Sequence, residues 1–104
     1  MSKLVIDTDN LSDADADEVL RLANIIYFKK KAYERTNWMG VPAAKCPMDM
    51  WMYQELMFAL KTDLLIETGT LSGGSALFFA QMFELMGRGH VAVSYTHLTL
   101  PTIA

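Results

Sequence analysis

Residues 63–80 read D-L-L-I-E-T-G-T-L-S-G-G-S-A-L-F-F-A, and this stretch limits the fold more than any other in the chain. A short apolar run, Leu64 to Ile66, is bounded by charge and followed by Gly69, Gly73 and Gly74 and then by an apolar run of helical length. That order predicts strand, turn and helix. The glycines let the backbone turn sharply, approach a ligand with no Cβ in the way, and open the helix with N–H groups facing a site. Glu67 falls at the carboxyl end of the strand, where open α/β sheets bind their ligands.

The spacing is G-x-x-x-G-G rather than the G-x-G-x-x-G of dinucleotide folds, and Ser75 stands where a P-loop requires Lys, which disfavours a triphosphate. A carboxylate facing the turn repels a pyrophosphate but suits a ligand with an ammonium or sulfonium group, such as S-adenosylmethionine. Turns of this kind also serve packing alone, so the glycines leave both readings open. A dinucleotide enzyme further requires an acid after the second strand, and the sequence supplies none.

Residues 38–56, W-M-G-V-P-A-A-K-C-P-M-D-M-W-M-Y-Q-E-L, combine with residues 61–80 into the pattern P-x-D-x-W-x-x-Q-E followed by E-T-G-T-x-x-G-G-S-A. This combination closely resembles the cephalosporin hydroxylase family, also called the rhamnosyl O-methyltransferase family, and the resemblance covers residues 38–91. It implies an α/β fold in which N-terminal helices lead into the first β-α-β unit of a Rossmann-like methyltransferase fold, truncated. It also implies that Glu67, Thr68, Gly69, Thr70, Gly73, Gly74 and Ser75 hold S-adenosylmethionine. The implied chemistry is methyl transfer to an oxygen of a small-molecule, glycan, lipid-linked or secondary-metabolite acceptor, accelerated by in-line alignment. The family name also admits a hydroxylase or accessory role. Its members can involve a divalent metal bound by acids beyond this chain, and a homo-oligomer is compatible with the resemblance. Asp49, Trp51, Gln54 and Glu55 belong to the shared pattern, but their spacing gives no catalytic geometry, and a structural role is expected for them.

The chain has 104 residues, room for one small domain, whereas a complete Rossmann-like methyltransferase domain takes ~150 or more. The expected organisation is a helical region over 1–62 and the start of the cofactor-binding domain over 63–92. A net charge of −3, with Lys29 to Lys31 as its one basic cluster, excludes a nucleic-acid surface, and that cluster suits a helix C-terminus. Cys46 is alone, which rules out an internal disulfide and predicts a small buried apolar residue. The sequence has no bilayer-length apolar stretch, and its start, M-S-K-L-V-I-D-T-D, has no signal-peptide core, so a cytoplasmic location is expected. The hydrophobic fraction of 52% fits elements belonging to a larger core. It also keeps open a second class of function, a non-enzymatic module whose apolar helices pair with a partner.

Along the chain, five aspartates between Asp7 and Asp17 lack the glycine turn and closing Glu of a calcium loop, and no metal site is expected. Ser12 is the expected cap of a helix over 13–31, with Ala16, Val19, Leu20, Ala23, Ile26 and Tyr27 on one face. Residues 32–46 have loop composition around Trp38, expected to plug the core. A helix from Pro47 or Asp49 to Leu60 is apolar nearly all round and expected to be buried on two sides. Gln54 and Glu55 on it must face water or find hydrogen-bond partners. The helix over 75–86 ends at Gly87, residues 88–90 turn, and a strand over 91–93 should pair in parallel through a right-handed crossover.

In methyltransferases of the type resembled, an acid at the end of the second strand takes the cofactor's ribose hydroxyls; here Ser94 and Tyr95 occupy that position. Residues 93–102, V-S-Y-T-H-L-T-L-P-T, are the translation of GTC TCT TAT ACA CAT CTG ACG CTG CCG ACG, which resembles the end of a transposase adapter. Residues 93–104 are therefore expected to be a sequencing-library artefact, with native coding ending near Ala92. The competing reading is a β-rich tail built on Val93, Tyr95, Thr96, Thr99 and Ile103. His97 falls inside this stretch, and His90 has no acid or nucleophile near it in sequence. No catalytic residue is assigned, and the chain alone is expected to be catalytically silent.

Overall fold

The computed structural model describes residues 4–94, and the chain divides into two compact units between Lys30 and Lys31. The first unit is built on helix α1, Asp13–Lys29. Ser12 is extended and its Oγ accepts the Asp15 N–H at 3.1 Å, as a cap should, with Asp13 and Asp15 at the positive end of the helix dipole. Arg21 forks onto Glu18 through Nε (2.7 Å) and Nη2 (2.6 Å), and this hydrogen bonding holds the Glu18 carboxyl below its usual range. The pair is exposed and contributes little to stability. No residue of α1 is buried, and Leu20 and Ile26 of the expected apolar face lie open. The helix stops short of residue 31 because Lys31 turns left-handed, with φ of 53°.

The second unit opens with a 3₁₀ turn, Ala32–Arg35, and a two-residue hairpin of β1, Asn37–Trp38, and β2, Val41–Pro42. Residues 32–46 are thus more regular than their loop composition suggests. Met39 and Gly40 both have positive φ, 48° and 80°, as the tightest hairpin turns require. Helix α2, Pro47–Leu60, begins on its proline and is closed by left-handed Lys61. Strand β3, Leu64–Thr68, helix α3, Gly74–Met86, and strand β4, His90–Ser94, complete the unit.

Strands β3 and β4 pair in parallel, from Leu64 opposite His90 to Thr68 opposite Ser94, so β3-α3-β4 is the expected β-α-β arrangement. Strand β4 exceeds residues 91–93 by one at each end. The ladder is extended by two bonds, His90 N–H to Asp63 O at 2.9 Å and Gly69 N–H to Ser94 O at 2.8 Å. Arg88 also ties the α3–β4 turn to the Asp63 carboxylate at the head of β3. Of residues 93–104, Val93 and Ser94 finish β4, and Tyr95, His97 and the rest lie outside the described residues.

The core joins Met50 and Met57 of α2 to Phe78, Phe79 and Phe83 of α3. Trp38 stands edge-on to Phe78, ring centroids 4.9 Å apart, and its Nε1 donates to Gln81 Oε1 at 2.6 Å, so it plugs the core from the hairpin side. Cys46 is buried as expected. Among the described residues α2 is buried on one side, through the Met50–Met57 stripe that meets α3, while Trp51 and Phe58 remain 69% and 73% exposed. Among the described residues no helix is long and apolar enough to cross a membrane.

Trp38→Phe keeps the ring contact with Phe78 and removes the hydrogen bond to Gln81. It is expected to lower stability by about 1 kcal/mol, measured by urea denaturation.

Candidate functional site

Side chains alternate along β3, so Leu65 and Glu67 point inward while Leu64, Ile66 and Thr68 point out. An acid in the inward row is costly unless its oxygens are satisfied. Glu67 is 7% exposed, and Oε1 accepts a hydrogen bond from Ser75 Oγ at 2.8 Å. Its other oxygen, Oε2, is buried with no hydrogen-bond partner among the described residues, and so is the hydroxyl of Thr70. The strand end and the turn after it therefore carry a half-satisfied carboxylate and an unsatisfied hydroxyl. Buried polar atoms without partners are uncommon in folded proteins, and each calls for an explanation.

The turn between β3 and α3 is built by residues with positive φ: Gly69 at 74°, Leu71 at 53° and Gly73 at 88°. Gly73 N–H bonds back to Thr70 O at 3.1 Å, and no side chain caps α3 at Gly73. The first N–H groups of α3 thus have no intrahelical acceptor. Gly74 has a different duty. A Cβ there would lie 2.3 Å from Pro42 O and 2.7 Å from Val41 O, so its bare backbone lets α3 start directly against the hairpin. Of the seven residues expected to hold a cofactor, Glu67, Thr70 and Ser75 supply buried polar groups. Gly69 and Gly73 shape the turn, Thr68 is exposed beside the site, and Gly74 is a packing residue.

A cleft of about 300 Å³ opens beside Glu67, lined by Lys45, Tyr53, Leu65, Ile66, Glu67, Thr68 and Phe79. Lys45 and Tyr53 were not legible as site residues, because nothing in residues 43–53 says which face of α2 meets β3. Trp51, Gln54 and Glu55 are turned away from Glu67 and line a separate groove of about 610 Å³ with Trp38, Phe78 and Met82. Glu55 and Asp49 are exposed and Gln54 is half-buried. A hollow of about 570 Å³ at the amino end of β4, bordered by Arg88 and His90, lies at the wrong end of the parallel strands for the ligand site of such sheets. Among the described residues, no group of three or more His, Cys, Asp or Glu is arranged to hold a metal ion.

The inward acid, the left-handed glycine turn and the parallel β-α-β arrangement make a strand end of the kind at which open α/β sheets bind ligands. Residues 30–97 match the family described as Rhamnosyl O-methyltransferase/CmcI, and the chain belongs to that family. The match extends beyond residues 38–91 at both ends. The chain is similar to the Rhamnosyl O-methyltransferase of Mycobacterium leprae (strain TN), 42% identical over 62 residues, which is 60% of this chain and 27% of that protein. It is likewise similar to those of Mycobacterium bovis (strain BCG / Pasteur 1173P2) and Mycobacterium tuberculosis (strain ATCC 25618 / H37Rv). Each is 38% identical over 77 residues, covering 74% of this chain and 30% of the relative. The chain thus spans less than a third of the length of the curated relatives it matches. No solved structure matches it.

Two substitutions separate the roles within the turn. Gly74→Ala forces a methyl group onto the backbone of Pro42 and is expected to cost about 1–3 kcal/mol in urea denaturation. Thr70→Val removes a buried hydroxyl that has no partner among the described residues, so the ligand-free chain is expected to be unchanged or about 1 kcal/mol more stable in the same measurement.

Proposed function

We propose that residues 63–92 are the start of a Rossmann-like cofactor-binding domain, preceded by a helical region, and that Glu67 to Ser75 hold S-adenosylmethionine. The observation that supports this most is the buried Glu67 carboxylate with Oε2 unpartnered at the carboxyl end of β3. Such an oxygen fits a cationic group bearing N–H donors and repels a phosphate. The Thr70 hydroxyl and the uncapped start of α3 favour the ligand's anionic group. Gly69 and Gly73 keep the turn free of side chains so that the ligand can lie against the backbone. When bound, the cofactor supplies an electrophilic methyl group.

The acceptor in this reading is a hydroxyl of a glycan, lipid-linked sugar or secondary metabolite, in keeping with the rhamnosyl O-methyl transfer for which the relatives are named. Among the described residues, no histidine and no second acid lines the Glu67 cleft. The 104-residue chain alone is therefore expected to bind cofactor without turning it over, and methyl transfer by the purified chain to a rhamnosyl acceptor would contradict this.

A second reading, a non-enzymatic module that pairs with a partner through α2, has the exposed Trp51, Phe58 and Leu60 in its favour. Calorimetric titration of the chain with S-adenosylmethionine separates the two. Saturable binding that Glu67→Gln weakens about tenfold or more supports the cofactor site. Concentration-dependent self-association or partner capture with no cofactor binding supports the module instead.

A further inference from the structure

We propose that Ser75 is a positioning residue: its hydroxyl fixes Glu67 through Oε1 and thereby presents Oε2 to the amino-acid end of the bound ligand. The proposal rests on the reading of Glu67 as the cofactor anchor and adds what holds that anchor in place. Ser75 is only 4% exposed, and its Oγ already donates to Glu67, so its side chain acts on the carboxylate rather than on the ligand. A glutamate has three side-chain torsions to freeze, and one left unheld would lose that freedom at the moment of binding. The 2.8 Å bond from α3, across the glycine turn, removes the freedom beforehand.

The same bond makes the two carboxylate oxygens unequal. Oε1 is committed, while Oε2 and Thr70 Oγ1 are the two buried polar side-chain atoms among the described residues that lack partners. One is an acceptor for a cation's N–H groups and the other a hydroxyl that can donate to an anion, which together match an α-ammonium and an α-carboxylate. A nucleoside without the amino-acid end satisfies neither. Ser75 therefore sets selectivity for that end of the ligand more than affinity for the nucleoside.

The test is calorimetric titration of the full 104-residue chain with S-adenosylhomocysteine and with methylthioadenosine, which share the adenosine and the thioether and differ in the amino-acid end. Ser75→Ala is expected to weaken S-adenosylhomocysteine binding about tenfold and leave methylthioadenosine unchanged. Ser75→Thr, which keeps the hydroxyl, is expected to preserve the discrimination. In a Glu67→Ala background, Ser75→Ala is expected to have no further effect on S-adenosylhomocysteine, since Ser75 acts through Glu67. Equal loss of both ligands, or no loss of either, overturns the positioning role and leaves the cofactor reading standing. Failure of the unaltered chain to bind either ligand overturns that reading and this role with it. Should Ser75→Ala prove unfolded by circular dichroism, Ser75→Cys, close in size and a weak donor, takes its part in the same comparison with the same outcomes.

Discussion

The second unit depends on an acid that points into its own interior. Strand β3 alternates so that Leu65 and Glu67 share the inner face, and the core of Phe79, Tyr53 and Leu65 lies along that same side. An apolar residue at position 67 would extend the core at no cost, whereas a carboxylate there requires partners. One partner is supplied from within the fold by Ser75, and this ties the end of β3 to the first turn of α3. The connection spans the glycine turn, so the turn's shape and the carboxylate's position are set together.

The hairpin β1–β2 belongs to this arrangement although it lies far from Glu67 in sequence. Gly74 starts α3 against the backbone of Val41 and Pro42, and Trp38 in the same hairpin holds Phe78 and Gln81 further along α3. The hairpin therefore sets where α3 begins and how it is rotated. Ser75 is the next residue after Gly74, and its reach to Glu67 follows from that seating. This explains physically why the pattern around Trp38 to Glu55 and the glycine pattern occur together: the first braces the helix that the second opens. The compact unit accordingly runs from Lys31 onward.

Much of this was legible in the sequence. The strand, the glycine turn, the helix ending at Gly87 and the parallel partner strand all follow from short-range signals, and the observed bounds differ by a residue or so. The joint pattern from Trp38 to Ala80 led to the family that the comparison with known proteins shows. What short-range signals could not give was direction. Alternation in a five-residue strand does not say which row faces inward until the core is known, so Glu67 was legible as lying at the strand end but not as buried. The three glycines look alike in sequence, yet Gly69 and Gly73 adopt left-handed conformations while Gly74 is selected by what lies against it. The hairpin was missed because two-residue strands carry no periodicity and its turn places Met39, a residue with no turn signature, at positive φ. The expectation that α2 is buried on two sides came from its composition, and composition cannot say which elements cover each side.

The parallel register links the glycine turn to the end of β4. Thr68 stands opposite Ser94, and Gly69 donates its N–H to Ser94 O at 2.8 Å, so the backbone at the end of β4 forms one wall of the turn. The Glu67 carboxylate is held separately, from the first turn of α3, by Ser75. That bond can be complete with β3, the turn and α3 in place, because both members of the Glu67–Ser75 pair lie within nine residues of each other. The bond from Gly69 N–H to Ser94 O requires β4 to be paired as well. The position of the carboxylate is therefore a local property of β3 and α3, while the position of the turn's backbone also depends on β4.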